Sequence, residues 1–396
     1  MNPTASPQVL VVNAGSSSLK SKLLPGGESL LVERIGGSSS ATASFALLQR
    51  PRLEDHAAAF EFALAAFERH VPGFAPDAVG HRVVHGGTRF VSATVVTPEV
   101  ERGIEELAAL APLHNPGNLA ALRAALRAMP DVRHVAVFDT AFHATLPRRA
   151  YLYGLPLEYA SSHGVRRYGF HGPSHDYVSR KAAETLGRRR EDLRLVTLHL
   201  GNGASAAAVA GGRSVDTSMG FTPMEGLLMG TRSGDVDPGV ILHLLRGGAS
   251  VDEVDDLLNK GSGLKGMSGV SNDLRDVSAA AAAGAEGAAA ALEVFAYRVR
   301  KTVGAYAAAM GGLDAVVFTG GIGENSAWAR AACLAGLEFL GVLVDAGRNA
   351  RGETLISPPE GKVAVLTIRT DEEAMIASAT VAVLNGAPTE PGAEEN

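Results

Sequence analysis

Two stretches of this chain, about half its length apart, share one pattern: an apolar strand, a turn of small polar residues, a second apolar segment and a glycine break. The first runs from Val9 to Leu24 and breaks at Pro25-Gly26-Gly27. The second runs from Leu195 to Val209 and breaks at Gly211-Gly212. Two such strand–turn–strand units predict a duplicated domain, with both hairpins directed at one cleft.

The turns have the chemistry of a phosphate site. Residues 14–18 offer closely spaced backbone N–H groups, hydroxyls and a glycine that can adopt positive φ, and Lys20 supplies a cation nearby. Donors that converge without side-chain bulk suit a phosphate. A Ser-rich hairpin turn without a ligand is the alternative interpretation, and the similar turn at Gly201-Asn202-Gly203 favours the phosphate site.

Length and charge limit the possible classes of protein. The chain has 396 residues, more than one hydrophobic core usually organises, which predicts two domains. We place the first at residues 1–138 with 374–396 and the second at residues 139–373. A net charge of −6 without a basic stripe argues against a nucleic-acid partner. The single cysteine, Cys333, fits a reducing cytosol. Since no apolar run approaches the ~18 residues of a membrane span, we expect a cytoplasmic protein with no membrane partner.

Hydrophobic periodicity predicts alternating strands and helices, the pattern of an α/β fold. Beyond the hairpins, we predict strands over residues 78–84, 132–138, 315–318 and 363–368. We predict helices over residues 55–70, 98–110, 116–129, 277–310 with a break near Gly284, and 372–384. Residues 215–237, which are dense in Gly, Ser, Thr and Met, predict a loop.

Several glycine-rich stretches compete for a nucleotide. Residues 261–268 have Walker A spacing, but Met267 stands where the lysine is required, so that interpretation fails. Gly201-x-Gly203-x-x-Ala206 fits the dinucleotide fingerprint, but the segment before Gly212 is too short for the helix that this motif needs. Residues 320–325 lie between a strand and a helix, where backbone N–H groups and the helix dipole could hold a nucleotide. A plain βα turn is the alternative there.

A series of motifs, taken together, resembles the acetate kinase family. They are Asn13-Ala-Gly-Ser-Ser-Ser-Leu-Lys20, Gly80-His-Arg82-Val-Val-His-Gly-Gly87, Phe138-Asp139-Thr-Ala-Phe-His143, His199-Leu-Gly-Asn-Gly203, Gly230-Thr-Arg232-Ser-Gly-Asp235 and Phe318-Thr-Gly-Gly-Ile-Gly-Glu-Asn325. The resemblance runs in family order to Thr370-Asp371-Glu372-Glu373 and covers nearly the whole chain.

The resemblance implies an α/β fold of two duplicated actin-like, ribonuclease H-like domains around a central nucleotide cleft, as in sugar kinases, actin and heat-shock ATPases. It also implies an activity: reversible transfer of the γ-phosphoryl group of ATP to acetate, giving acetyl phosphate and ADP. Mg²⁺ is the implied cofactor, with Mn²⁺ as an alternative, and the implied assembly is a homodimer.

Transfer of a phosphoryl group to a carboxylate brings an anion against a polyanion, so the site must supply positive charge and alignment. Arg82 and Arg232 are the candidates, because a guanidinium can hold a carboxylate or phosphoryl group through two parallel hydrogen bonds. Taken singly, each arginine would more often be a surface residue, but both stand in glycine-rich segments at strand ends. The resemblance adds His171 as a donor to the transferred phosphoryl group.

For Mg²⁺ the hard-oxygen candidates are Asn13, Asp139 and Glu372, a small set that suits an ion which keeps its waters. Asp139 could instead orient Arg82 or the bound carboxylate, and the sequence does not separate these roles. We therefore assign the metal to Asn13 and Glu372 and count Asp139 among the catalytic residues. The family commonly has Asn before this Glu, whereas this chain has Asp371, an extra carboxylate.

The resemblance also implies the substrate contacts. The nucleotide-binding candidates are Lys20, His199, Leu200, Gly201, Asn202, Gly203, Asp273, Leu274, Arg275, Gly320, Gly321, Ile322, Gly323, Glu324 and Asn325. The acetate carboxylate is expected at Arg82, and the residues expected to wall its methyl group are Val84, Leu113, Phe170 and Pro223.

Other functions remain open at this point. A propionate or butyrate kinase is the alternative within the same class. An ATPase of the actin or chaperone type, which has no acceptor, is the alternative from another class. Arg82 and Arg232 argue against that ATPase, because it needs no clamp for a small carboxylate. The hypothesis of a dehydrogenase that uses the Gly201 fingerprint is the weakest of these alternatives.

Overall fold

The computed structural model of the chain describes residues 7–15, 17–47, 52–112 and 114–386. The chain forms two compact units, Met1–Ala144 with Asp371–Asn396, and Thr145–Thr370. Residues 139–144 and 371–373 thus belong to the first unit, whereas the sequence predicts boundaries at 138/139 and 373/374. Asp139, Asp371 and Glu373 form ion pairs with cations of the same unit.

The first unit is built on a seven-stranded sheet with the strand order β4-β3-β2-β1-β5-β7-β6. Strands β1 to β4 pair antiparallel, whereas β1, β5 and β7 are parallel. The elements up to the end of this sheet are β1 (Val9–Ala14), β2 (Ser18–Leu24), β3 (Ser29–Glu33), β4 (Ser40–Ala43), α1 (His56–His70), β5 (Ala78–Val83), β6 (Thr94–Val95), α2 (Pro98–Glu106), a 3-10 turn (Leu107–Leu110), α3 (Asn115–Ala128) and β7 (Arg133–Phe138).

The helices of this unit begin where the sequence predicts. The Asp55 side chain accepts a hydrogen bond from the backbone N–H of Ala58 at the start of α1. Thr97 caps α2 in the same way, with Pro98 in the first turn. Such caps satisfy N–H groups that have no partner inside the helix.

The second unit contains a five-stranded sheet in the order β10-β9-β8-β11-β12. Strands β8, β9 and β10 pair antiparallel, and β8, β11 and β12 are parallel. Its elements are α4 (Arg148–Tyr151), α5 (Leu157–Ser162), α6 (Gly172–Leu186), β8 (Arg194–Leu200), β9 (Ala204–Ala210), β10 (Arg213–Thr217), α7 (Pro238–Arg246), α8 (Val251–Lys260), α9 (Gly263–Ser268), α10 (Leu274–Ala282), α11 (Glu286–Met310), β11 (Ala315–Thr319), α12 (Gly320–Asn325), α13 (Ala327–Leu334), α14 (Ala346–Ala350) and β12 (Ala364–Thr367). This unit also has 3-10 turns at Arg190–Asp192 and Glu338–Leu340, and another, Ala141–Thr145, lies where the chain leaves the first unit.

Three segments have local structure that the sequence did not predict. Strand β10 enters the stretch 215–237 that the composition predicts as loop, because an edge strand with alternating polar residues gives little apolar signal. The Walker-like segment ends in a short helix, α9. Residues 320–325 form the helix α12 rather than a bare turn.

The chain then returns to the first unit and ends in α15 (Glu372–Leu384), capped by the Asp371 side chain. Helix α15 packs on one face of the parallel strands through Ile376 and Ala377. The other face of this sheet is covered by apolar residues of α1 and α3, such as Phe60 and Phe67 of α1. A Cβ atom at Gly80 in β5 would lie 2.5 Å from Oγ1 of Thr380, so only glycine permits this close approach of α15.

Both sheets place a hairpin strand at the same topological point. β1 pairs antiparallel with β2 and parallel with β5, and β8 pairs antiparallel with β9 and parallel with β11. The prediction of a duplicated α/β fold is therefore confirmed. Among the described residues, none of the helices combines the length and apolar character that crossing a membrane requires.

Candidate active site

Four predicted residues meet in the first unit, around the guanidinium of Arg82. Arg82 donates from Nε to Oδ1 of Asp139 at 2.8 Å and from Nη2 to Oδ2 at 2.7 Å. Its Nη1 donates to Oδ1 of Asn13 at 3.1 Å and lies 3.9 Å from Oε2 of Glu372. The local fold explains the meeting, because β1, β5 and β7 are parallel and end at the same edge.

The charges of this cluster are mutually stabilising. Burial alone would lower the pKa of Arg82, but the attraction of Asp139 and then of Glu372 outweighs burial and raises that pKa. Asp139 is almost fully buried, and both of its carboxylate oxygens accept from Arg82. Of the roles that the sequence leaves open for Asp139, this geometry favours the orientation of Arg82.

The same cluster offers oxygens to a metal ion. Oδ1 of Asn13 and Oε2 of Glu372 both lie next to Nη1 of Arg82, and they are the hard donors that Mg²⁺ prefers. Within the part of the chain that the structure describes, His, Cys, Asp and Glu residues do not form a group of three or more that could hold a metal ion. A pair of oxygen donors suits an ion that keeps several of its own waters.

Two lysines of β2 are engaged by the first turn of α15. Nζ of Lys20 lies 2.7 Å from Oε1 of Glu373, and the Lys20 side chain is 42% exposed. Nζ of Lys22 lies 3.3 Å from Oδ2 of Asp371. The extra carboxylate that the sequence places at 371 therefore pairs with Lys22 and also caps the helix.

A second cluster lies in the second unit, around the turn between β8 and β9. A Cβ atom at Gly203 would lie 3.5 Å from Nε2 of His171 and 3.6 Å from Nη1 of Arg232. His171 has a positive φ of 58° directly before α6, a backbone conformation that costs energy for a residue with a side chain. The side chains of His171 and Arg232 therefore converge beside the glycine of the turn.

Arg232 differs from Arg82 in its partners. Its Nη1 donates to the backbone oxygen of Pro223 at 2.9 Å and lies 3.7 Å from Sδ of Met229. In the described residues no carboxylate forms an ion pair with it, and burial lowers its pKa. A half-buried guanidinium without a counter-charge is well suited to bind an anion.

His199 lies against the same cluster. Its ring stacks on that of His171 with centroids 4.3 Å apart. Its Nδ1 is 2.8 Å from Oγ of Ser174, which in turn is 2.9 Å from Oγ1 of Thr370. His199 thus contacts a hydroxyl of α6, which in turn contacts the segment after β12.

A cavity of about 780 Å³ opens in the second unit beside the β8–β9 turn. It is lined by many of the residues predicted to bind the nucleotide, namely Gly201, Asn202, Asp273, Leu274, Arg275, Gly321, Ile322 and Asn325. Asn272, within the segment 271–275 that the resemblance places beside the adenine, also lines it, and sequence reasoning missed the other lining residues, which are Ser278, Ser326, Ala327 and Trp328. The unique tryptophan was the only signal that could have drawn attention to one of them.

The remaining nucleotide candidates do not line this cavity, and the structure gives several of them other contacts. Leu200 is fully buried at the end of β8, and a Cβ atom at Gly320 would lie 2.7 Å from its backbone oxygen. Oε1 of Glu324 accepts from the backbone N–H groups of Gly320 and Thr370 at 3.0 and 3.1 Å, which ties the β11–α12 turn to the end of the unit. His199, Gly203 and Gly323 lie near the turn, and Lys20 belongs to the first unit.

The predicted acetate wall is only partly described. Val84 is buried in the first unit, where its backbone N–H donates to Oδ1 of Asn118 at 3.0 Å. Leu113 lies outside the described residues. Phe170 is fully buried in the second unit, and Pro223 is held there by Arg232.

The chain is similar to known proteins over nearly its whole length. The sequence profile of the acetokinase family matches residues 8–378. The chain is 53% identical over 396 residues to a Clavibacter michiganensis protein named acetate kinase, covering 96% of this chain and 100% of that one. Among solved structures it is similar to acetate kinase from Porphyromonas gingivalis, with a TM-score of 0.89, 45% identity and coverage of 96% and 100%. It is also similar to a propionate kinase from Francisella tularensis, with a TM-score of 0.89, 39% identity and coverage of 95% and 99%.

Proposed function

The chain belongs to the acetokinase family and acts as an acetate kinase, and we propose that it moves the γ-phosphoryl group of ATP to acetate in one direct in-line step. The observation that carries this proposal is the half-buried guanidinium of Arg232, which has no carboxylate partner in the described chain and converges with His171 on Gly203. A phosphoryl group passing between two oxygens develops charge on its equatorial oxygens, and positioned cations and donors stabilise that charge.

We assign Arg232 and His171 to the transferred phosphoryl group. Arg82 is assigned to the carboxylate of the acceptor, because Asp139 fixes the orientation of its guanidinium through two hydrogen bonds. An acceptor held at a fixed angle reacts faster than a free one, since its orientational freedom is already lost.

Mg²⁺ is the proposed cofactor, with Mn²⁺ as the alternative ion. Asn13 and Glu372 would hold it, either directly or through its waters. When bound, the ion neutralises charge on the phosphate oxygens. Arg82 partly offsets the negative charge that Glu372 brings to this region, and Asn13 contributes a neutral oxygen donor.

The adenine nucleotide is assigned to the cavity of the second unit. The cavity volume of about 780 Å³ is within the range of small-molecule sites. Ile322 and Trp328 supply apolar and aromatic surface for a base, and Asp273 and Arg275 supply polar groups at its margin.

Acceptor size is assigned to Val84, Leu113, Phe170 and Pro223. One methylene in an apolar pocket is worth about 1–3 kcal/mol of discrimination, so acetate should be preferred over propionate and butyrate. Because one similar structure is named a propionate kinase, the preference between acetate and propionate should be measured.

We further propose a homodimer in the cytoplasm. Helix α7 is rich in Val, Ile and Leu, yet none of its residues is buried, and Leu242 is 49% exposed. Exposed apolar faces of this kind are typical of contacts between protein chains. A second copy is the occupant to test by sedimentation velocity, where L242E should shift the protein to monomer and the exposed-site control E158Q should not.

The proposed reaction is tested by ADP release from ATP with Mg²⁺, with and without acetate, propionate or butyrate. We expect release to depend on a carboxylate and to be fastest with acetate. Equal release without any carboxylate would instead identify an ATPase without an acceptor. The direct step is tested by a γ-phosphoryl group made chiral with oxygen isotopes: single displacement inverts its configuration, whereas a phosphorylated enzyme intermediate would retain it.

A further inference from the structure

A chain of hydrogen bonds in the second unit leads from the sheet to His171. Nδ1 of His171 lies 2.9 Å from Oγ of Ser205, and Nε2 of His175 lies 2.8 Å from the same oxygen. Nδ1 of His175 lies 2.7 Å from Oγ1 of Thr197. His175, Ser205 and Thr197 are all fully buried, and none of them has a role in the function proposed above.

The fold fixes these positions. Thr197 lies on β8 and Ser205 on β9, which pair antiparallel across the hairpin. His175 lies in α6, one turn after His171, and residues four apart share a face of a helix. Three elements of the second unit thus bring four side chains into one line.

The hydroxyl of Ser205 restricts the protons of both imidazoles. It carries one proton, so it can donate to only one of the two ring nitrogens and must accept from the other. A neutral imidazole has one N–H and one lone pair. Which nitrogen of neutral His171 carries the proton therefore depends on the direction in which the hydrogen bonds of this series are donated.

Thr197 sets that direction. Its hydroxyl could donate to the backbone oxygen of Ala207, but at 3.5 Å that contact is long for an O–H donor. The contact with Nδ1 of His175 is 2.7 Å. When Thr197 donates to His175, His175 donates from Nε2 to Ser205, and Ser205 donates to Nδ1 of His171.

We propose that Thr197, His175 and Ser205 are positioning residues that hold neutral His171 as its Nε2–H tautomer, so that it donates a hydrogen bond to the transferred phosphoryl group without carrying a charge. The role of His171 as a donor to the phosphoryl group rests on the proposed function. Its tautomer rests only on the hydrogen bonds described above. If the hydrogen bonds were donated in the opposite direction, neutral His171 would be the Nδ1–H tautomer. The lone pair on its Nε2 would then face the phosphoryl oxygens and repel them.

The charged surroundings of His171 make a neutral donor useful. Its Nε2 and Nη1 of Arg232 lie 3.5 and 3.6 Å from one point, the position of a Cβ atom at Gly203. The ring of His199 stacks on His171. A positive imidazole beside the guanidinium would be opposed by like-charge repulsion, whereas a neutral Nε2–H donor is not.

The tautomer is measured directly by two-bond ¹⁵N–¹H correlation of the histidine rings in the full-length protein at pH 8, with H171Q to assign the resonance. We expect the Nε2–H pattern for His171. A resonance of the Nδ1–H form in the wild-type protein would overturn the proposal.

The link to catalysis is measured with a double-mutant cycle. S205A should lower kcat about tenfold to a hundredfold, and the isosteric T197V should lower it by a smaller factor, because a donor aimed at the transition state is weakened. KM for ATP should change by less than about threefold, because ground-state binding is untouched. T217V is the matched control, since Thr217 is also buried but donates to the backbone oxygen of Ala206 at 3.0 Å outside this chain of bonds.

In the H171A background, S205A should cause no further loss of kcat, because its effect passes through His171. An equal loss in both backgrounds would show a merely structural role and would overturn the proposal. If the wild-type protein transferred no phosphoryl group to any carboxylate, the proposed function would fail. The tautomer measurement would still test whether Thr197, His175 and Ser205 hold His171 as its Nε2–H tautomer.

Discussion

At the scale of single residues, the two arginines that the sequence singles out have different surroundings. Arg82 is held by Asp139 and lies near Glu372, whereas Arg232 has no acidic partner in the described chain. The sequence makes both of them candidate cations of the site because both stand in glycine-rich motifs. It could not predict their partners, because Asp139 and Glu372 reach Arg82 only through the pairing of distant strands and the return of the chain.

Replacement of Arg232 tests its assignment. R232A should lower kcat about 10³-fold or more, the effect expected when a guanidinium that stabilises phosphoryl transfer is lost. R232K should restore little, because an ammonium does not form the same forked contact. The matched control is R298A: Arg298 pairs with Asp235 at 3.5 Å and is not assigned to the site. Near-wild-type kcat for R232K would contradict the argument from guanidinium geometry.

A buried histidine pair gives a pH prediction. Nε2 of His134 donates to the backbone oxygen of Met129 at 3.1 Å, so Nδ1 of His134 accepts from Nε2 of His81 at 2.9 Å when both rings are neutral. Burial lowers the pKa of His134, and burial and then the neighbouring His134 lower the pKa of His81. The unfolded chain therefore binds protons near pH 6.5 that the folded chain does not.

Stability should accordingly be full above about pH 6.5 and fall as the pH drops below it, by up to about 1.4 kcal/mol per pH unit for each proton. We expect the unfolding free energy of H134Q, measured in urea between pH 5 and 8, to have a slope with pH that is smaller by about one proton. The difference from wild type cancels the contribution of the other histidines. An unchanged slope would mean that the pair does not titrate in this way.

At the scale of elements, the candidate site of the second unit is built from the β8–β9 turn and the segments beside it. The sequence predicted the hairpin and the glycine-rich turns, because apolar strands and small polar residues leave clear local patterns. It missed β10, Trp328 and the hydrogen-bonded line through Ser205. These depend on which elements lie side by side, and that information is not local in sequence.

The turn itself can be tested with one methyl group. A Cβ atom at Gly203 would meet His171 and Arg232 at 3.4–3.6 Å, which is ordinary van der Waals contact. We expect G203A to keep the thermal midpoint of the wild type but to lower kcat about tenfold or more, because the methyl group occupies space between the two assigned side chains. G304A, in α11 with no heavy atom within 4 Å of its Cβ position, is the control. Full activity of G203A would place the reacting group elsewhere.

The cavity has a built-in reporter. Trp328 is the single tryptophan of the chain, lies at the cavity and is 43% exposed. ADP should change its fluorescence in a saturable way, since a base in the cavity alters the surroundings of the indole, while acetate alone should leave it unchanged. If ADP that supports turnover produced no change at saturation, the nucleotide would not occupy this cavity.

At the scale of the whole molecule, the chain is a duplication, and each copy carries one arginine of the proposed reaction. The same strand arrangement recurs in both sheets, and the segment between Thr145 and Thr370 is inserted before the last helix of the first unit. The repeat of the hairpin pattern predicted the duplication, and the resemblance to the acetate kinase family implied the fold class. The exact points at which the chain passes between the units were not visible in the sequence, because they depend on contacts between segments far apart in sequence, such as the ion pairs of Asp139, Asp371 and Glu373 with cations of the first unit.

If the chain transfers a phosphoryl group to acetate, the products of the reaction should show it. ³¹P NMR of the wild-type protein with ATP, Mg²⁺ and acetate should show acetyl phosphate and ADP growing in equal amounts. Acetyl phosphate and ADP supplied alone should in turn give ATP. If ADP instead appeared with orthophosphate alone, at a rate independent of acetate, the protein would be an ATPase and the account would be contradicted.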